Sequence, residues 1–296
     1  MKARLGVLVL ALCAVRIAGA SSLARLESDG KTVGQLVGQL RSGAAIRRAS
    51  SRTRHAISLD LSLSAFIFQG AGSLAGSGGT TFFHSDVMIS NYRNAQQLIA
   101  IGFLRIGQDN SNELLQYFTL SSLQTVALDD FVAATLHTSG FGAVLVAGVD
   151  SNHDNDPDAL LDGQSRIWTL QPGSSGKVSL GLPAVDVIDI IGNATSYALG
   201  LRHDASAHTN VGIVNLDGVA HTWTVHVVGL TKTSTFTVTV KALSVTQVGI
   251  PPGTYGDLFL AMAPDAGGFV WSAYGVSIDN VTADSWESHV VNPQPI

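Results

Sequence analysis

Asp150, Asn152, Asp154, Asp156, Asp158 and Asp162 place six acidic or amide side chains, five of them on alternate residues, within a stretch of thirteen. Alternate acidic or amide residues on a tight loop can turn their oxygens onto one hard cation, and calcium loops place ligands at positions 1, 3, 5, 7 and 9 for that reason. Counted from Asp150, all five of those positions are Asp or Asn. Asn155 stands at the sixth position, where an EF-hand has glycine, and asparagine tolerates the left-handed turn needed there. Leu161 occupies the twelfth position, so the bidentate glutamate is missing and Asp162 comes one residue late. Calcium is the cofactor this spacing leads one to expect, against a solvated acidic loop tip.

Other chemistry is sparser. His84 and Asp86 lie two apart and share a strand face, as do His208 and Asn210. Asn cannot serve as a base and no third ligand is evident, so hydrogen bonding to a neighbouring strand or turn is the expected role. The chain has no G-x-S-x-G and no H-E-x-x-H, and Gly173-Ser-Ser-Gly-Lys177 runs into Val178 without the spacing of a P-loop. Glutamates are few (Glu27, Glu113 and Glu287), which leaves a pair of aspartates or a scattered Ser-His-Asp set as the routes to a hydrolase. An enzyme is not expected, and no catalytic residue is assigned. Four aromatics of the second half, Trp223, Trp271, Tyr274 and Trp286, could stack on sugar faces if exposed, although large rings usually anchor sandwich cores.

The elements that must carry these residues read as strands. Ile57, Leu59, Leu61 and Leu63 alternate with Ser58, Asp60, Ser62 and Ser64, and the threonines at 233, 235, 237 and 239 form one face of another alternating run. Candidate strands follow one another from 57–69 to 165–170 and again from 177–182 to 286–291, with turn residues between them and no sustained helical period. The pattern H-[ST]-[DN]-V-x-I-x-N occurs at His84–Asn91 and again at His208–Asn215, a spacing of domain size. Gly140–Val144 further matches Gly267–Val270, Val149-Asp150 matches Ile278-Asp279, and Trp168 matches Trp286, which makes the acidic run an insertion in the first copy. The expected fold is all-β: two tandem, homologous, antiparallel Ig-like β-sandwich domains over 57–172 and 176–292, divided near Gln171–Lys177.

Ahead of them lie two further segments. Residues 1–20 have the parts of a secretory leader: Lys2 and Arg4, an apolar run from Leu5 to Val15, then Ala18-Gly19-Ala20. The run is too short to span a bilayer, so no transmembrane segment is expected in the mature chain. Cys13, the only cysteine, falls inside this leader, which leaves an exported protein to be held by core burial rather than disulfides. Residues 21–56 carry seven basic side chains against Glu27 and Asp29, are rich in Gly, Ser and Ala, and read as a basic flexible linker. The formal net charge is −5 and the body beyond the linker is acidic, which argues against nucleic acid as a partner.

The strings Tyr197–Arg202, His208–Asn215 and Tyr274–Thr282 resemble tandem β-sandwich modules of secreted and surface proteins of environmental bacteria, a family without assigned chemistry. The resemblance spans about 57–291 and implies fold and export. The acidic run itself resembles aspartate-rich calcium repeats in which a proline, here Pro157, precedes the ninth ligand. The function expected is a secreted or surface module, noncatalytic, that binds or adheres to extracellular polysaccharide or a surface protein and is stiffened by calcium. A structural envelope or matrix protein and a secreted hydrolase without a recognisable motif are the alternatives.

Overall fold

The computed structural model describes residues 26–51, 64–76, 81–171, 173–187 and 195–290. Residues 1–20, read above as a leader, and the alternating run Ile57–Leu63 lie outside the described residues. The first eight strands are β1 (Ala65–Ala75), β2 (Phe82–Asn91), β3 (Gln97–Arg105), β4 (Gln116–Leu120), β5 (Thr125–Leu128), β6 (Gly140–Val149), β7 (Leu161–Leu170) and β8 (Lys177–Pro183), followed by the short β9 (Val185–Asp186). The second eight are β10 (Ser196–His203), β11 (Ala207–Asn215), β12 (His221–Gly229), β13 (Thr233–Val240), β14 (Ser244–Gly249), β15 (Gly256–Pro264), β16 (Trp271–Asp279) and β17 (Ser285–His289). The described ladders are antiparallel, and the fold is all-β and sandwich-like.

The two sets pair in the same order. The first forms the rows β4-β3-β6-β1 and β5-β2-β7-β8, joined where Leu74 meets Phe83; the second forms β13-β12-β15-β10 and β14-β11-β16-β17 as separate sheets. Both first strands carry a register shift, between Phe68 and Ala71 in β1 and between Ala198 and Leu201 in β10. The last residue of the repeated sequence pattern does the same work twice. Asn91 accepts the N–H of Arg93 and donates to the carbonyls of Ala95 and Ser121, while Asn215 accepts the N–H of Asp217 and donates to those of Val219 and Lys241. A side-chain amide that bridges a turn in this way satisfies backbone groups that the ladder has just released.

Three apolar cores result. Phe66, Phe68, Val87 and Ile101 fill the space between the first two rows, and Trp223, Val225, Leu260 and Trp271 that between the last two. The third lies between the sets, where Ile67, Ala100 and Leu145 on the outer face of β1, β3 and β6 meet Val214 and Val245 on β11 and β14. Strand β1 is thus covered on both sides, which is why Ala65-Phe-Ile-Phe68 is continuously apolar rather than alternating. Gln69, buried at this seam, donates to the Ser272 hydroxyl and the Ala273 carbonyl on β16.

Two expectations are corrected. Lys177–Pro183 does not open the second set: β8 pairs with β7, and β9 pairs with β1, so the first set runs through Asp186. The matched segments shift with it, since β6 takes the place of β15 and β7 that of β16; Trp168 on β7 and Trp286 on β17 are not equivalent. Nor is 21–56 a flexible linker throughout, because Val33–Ser51 is helix α1. Val33, Leu36, Val37 and Leu40, spaced as one face of a helix, are buried in the core between the sets. Docking, rather than intrinsic propensity, makes this helix.

Candidate functional site

Helix α1 begins at a capping box. The Thr32 hydroxyl accepts the Gln35 N–H at 3.4 Å, and the Gln35 side-chain carbonyl accepts the Thr32 N–H at 2.9 Å. Its apolar face is spoken for by the core, and Gly34 lies against the Ser111 carbonyl. The polar side, with Gln35, Gly38, Gln39 and Ser42, forms one wall of a cleft of about 570 Å³. The opposite wall is the β6–β7 connection, with His153 and Asp154 from the acidic run, and Lys31 stands at the end.

Within that run the carboxylates turn to separate partners. Asp154 accepts from Lys31 Nζ at 2.8 Å and from the Gln39 amide at 2.5 Å, while Lys31 also donates to the Asn152 carbonyl at 2.6 Å. Asp150 accepts the N–H groups of Asn152 and Asp154; Asp156 accepts the N–H of Asp158 and pairs with Arg93 at 2.5 Å; Asp162 accepts the N–H of Gly163. The six residues expected to converge on calcium therefore do not converge, and among the described residues no group of three or more His, Cys, Asp or Glu is placed to hold a metal ion. Lys31 and Arg93 supply the positive charge that relieves repulsion along the run. The Lys31 and Gln39 hydrogen bonds hold the Asp154 carboxyl below its usual range.

His153 is the most constrained residue of the loop. It sits at φ 59°, a conformation costly for a side chain other than glycine. Its ring stacks on Tyr117 at 4.1 Å, and Nδ1 is bonded to Asp29. Burial works to raise the Asp29 carboxyl, but the Lys31 N–H and His153 outweigh it and hold the group low. The Gln39 side-chain carbonyl accepts the Asn155 N–H at 3.0 Å, so loop and helix brace each other.

The two glycines of this stretch of α1 differ. A Cβ on Gly34 would stand 2.8 Å from the Ser111 carbonyl oxygen, whereas one on Gly38 would meet nothing within 4 Å. Gly34→Ala is therefore expected to lower stability despite the better helix propensity of alanine, and Gly38→Ala to raise it by about 0.5–1 kcal/mol. Paired urea titrations of the two variants check both signs.

The remaining sequence-predicted sites are dispersed. His84 reaches Asp130 at 3.0 Å, not Asp86, and its ring stacks on Trp168, over which Lys177 Nζ lies 3.6 Å from the ring centroid. Asp86 instead pairs with Arg166 at 2.5 Å and accepts the Asp130 N–H; burial works to raise its carboxyl, but these partners keep it low. His208 bonds to Asn280 at 2.7 Å, away from Asn210. The aromatic binding face is corrected: Trp223 and Trp271 are fully buried and pack edge to face at 5.6 Å, and Tyr274 is buried over Gly212 with its hydroxyl on Gln247. Trp286 alone of the four is exposed, at 39 %, and donates to the Gly200 carbonyl.

Two features escaped sequence reasoning. The His221 ring lies parallel to Phe269 at 3.6 Å, with Nε2 2.9 Å from Asp217 and Nδ1 3.1 Å from Asp265; Asp217 also pairs with Arg41 of α1. Burial would raise the Asp217 carboxyl, but His221, Arg41 and the Gly218 N–H hold it low. Nothing in the spacing of these residues marks the network. The cleft, in contrast, had a local signal in Thr32-x-x-Gln35 followed by Leu36, Val37 and Leu40.

Elsewhere, His203 Nδ1 accepts the Thr209 N–H at 3.0 Å. Burial first, then the charges of His208 and Lys232, press its imidazole below the ordinary value of 6.5. The unfolded chain then takes up the proton more readily than the folded one, so this contribution is present above pH 6.5 and is lost as pH falls from there toward the lowered folded value. Melting temperatures of wild type and His203→Gln, followed from pH 8 to about pH 5 across that window, are expected to converge on acidification.

No family model matches the chain, and no curated protein matches it.

Proposed function

We propose that this is an exported, noncatalytic binding module, built by duplication of one β-sandwich and directed to extracellular polysaccharide. The observation that carries the reading is the cleft between α1 and the β6–β7 loop. Its walls offer ammonium, amide, hydroxyl, imidazole and carboxylate groups, and many of these are already fixed by bonds to one another. Groups held in place before a ligand arrives lower the ordering cost of binding. The leader over residues 1–20 supports export, and the shared strand order with the paired Asn91 and Asn215 turns supports duplication, as in the tandem bacterial modules that the chain resembles.

The test is retention of the purified protein on insoluble glucan, chitin and an extracted bacterial exopolysaccharide, with the soluble products of each incubation assayed. Saturable retention without release of reducing ends supports the reading. Absence of retention on all three, or steady release of sugar, defeats it.

A further inference from the structure

We infer that the cleft beside α1 accommodates a neutral saccharide unit, with Gly38 as the position that keeps it open. The inference rests on the binding reading and names the ligand class of the same cleft.

Glycine in the middle of a helix is unfavourable by roughly 0.5–1 kcal/mol relative to alanine. Gly34 has a reason, since the Ser111 carbonyl leaves no room for a side chain. Gly38 has no such neighbour: a Cβ there enters open space, and that space is the cleft. The helix wall at Gly38 is thus bare where it faces the cleft.

The lining selects the class. Lys31 and Asp154 pair within the cleft, so their charges are matched in place, and the His153 ring is tied to Asp29. An anion would meet the Asp154 carboxylate and a cation the Lys31 ammonium. A neutral polyol meets neither penalty, and each of its hydroxyls both donates and accepts, as the amides of Gln35 and Gln39 and the hydroxyl of Ser42 do. The volume, about 570 Å³, falls in the range of roughly 300–1,000 Å³ typical of small-ligand pockets and suits a short saccharide.

The experiment is calorimetric titration of the full protein with neutral gluco-, manno- and chito-oligosaccharides and with oligogalacturonate, in wild type, Gly38→Ala and Gly38→Phe. A Cβ at position 38 meets nothing within 4 Å, and the melting temperature of each variant is measured beside its affinity so that a loss of binding is not a loss of fold. The inference expects a neutral oligosaccharide to bind wild type, oligogalacturonate to bind at least tenfold more weakly, and Gly38→Phe to lose at least tenfold in affinity. Equal affinity of Gly38→Phe and wild type would overturn it, as would preference for the acidic oligosaccharide. If no oligosaccharide binds while insoluble polysaccharide still retains the protein, the cleft assignment is wrong and the binding function stands. If retention also fails, both fall.

Discussion

Trp271→Ala is expected to destabilise the protein by about 3–5 kcal/mol, the loss usual for a large aromatic removed from a core. Trp271 is fully buried, packs against Trp223, and sits on β16 in register with Asn215. Its removal opens a cavity with neighbours on both β12 and β16, and neither strand can close it without breaking a ladder. Trp286→Ala, on an edge strand with the ring 39 % exposed, is expected to cost no more than about 1.5 kcal/mol, chiefly the hydrogen bond to Gly200. Urea midpoints of the two variants separate a core tryptophan from a surface one. Similar midpoints would mean that the rings are not packed as described.

Leu36→Ala should cost about 2–5 kcal/mol, because the side chain is 2 % exposed and fills the core between the strand sets. The same substitution in a solvated linker would change stability by less than about 0.5 kcal/mol. The outcome therefore discriminates between a docked helix and a tether. Leu36→Ala should also free α1 to protease well before the strands unfold, since Val33, Val37 and Leu40 then carry the docking with only the partly exposed polar bonds of Gln39 and Arg41 beside them. Limited trypsin digestion, read as the time course of cleavage at Arg41, follows this directly.

The strands were legible because one-sided burial imposes alternation, and β13 shows it plainly with exposed Thr233, Thr235, Thr237 and Thr239. Helix α1 was harder to read. Gly34 and Gly38 lower its propensity, and among the described side chains four apolar ones mark the docked face. The acidic run shows the opposite limit: its spacing is visible locally, but its counter-charges come from Lys31 and Arg93, which only the fold brings near. The boundary near Gln171–Lys177 misled for a chemical reason. Glycine and serine there make a hairpin turn between β7 and β8, with Gly173 at φ 72° and the Gln171 N–H on the Gly176 carbonyl, and a tight turn uses the same residues as a linker.

The seam between the strand sets bears on how the chain can be cut. A fragment ending at the turn after Leu170 loses β8, and with it the edge protection of β7. A fragment starting there retains Val214 and Val245 with neither Ile67 nor Leu145 to cover them. Expressed separately, the halves suggested by sequence should be sticky and poorly soluble, each presenting to water a surface that the other was shaped to hide. The two strand sets are therefore expected to be made, to fold and to be degraded as one unit.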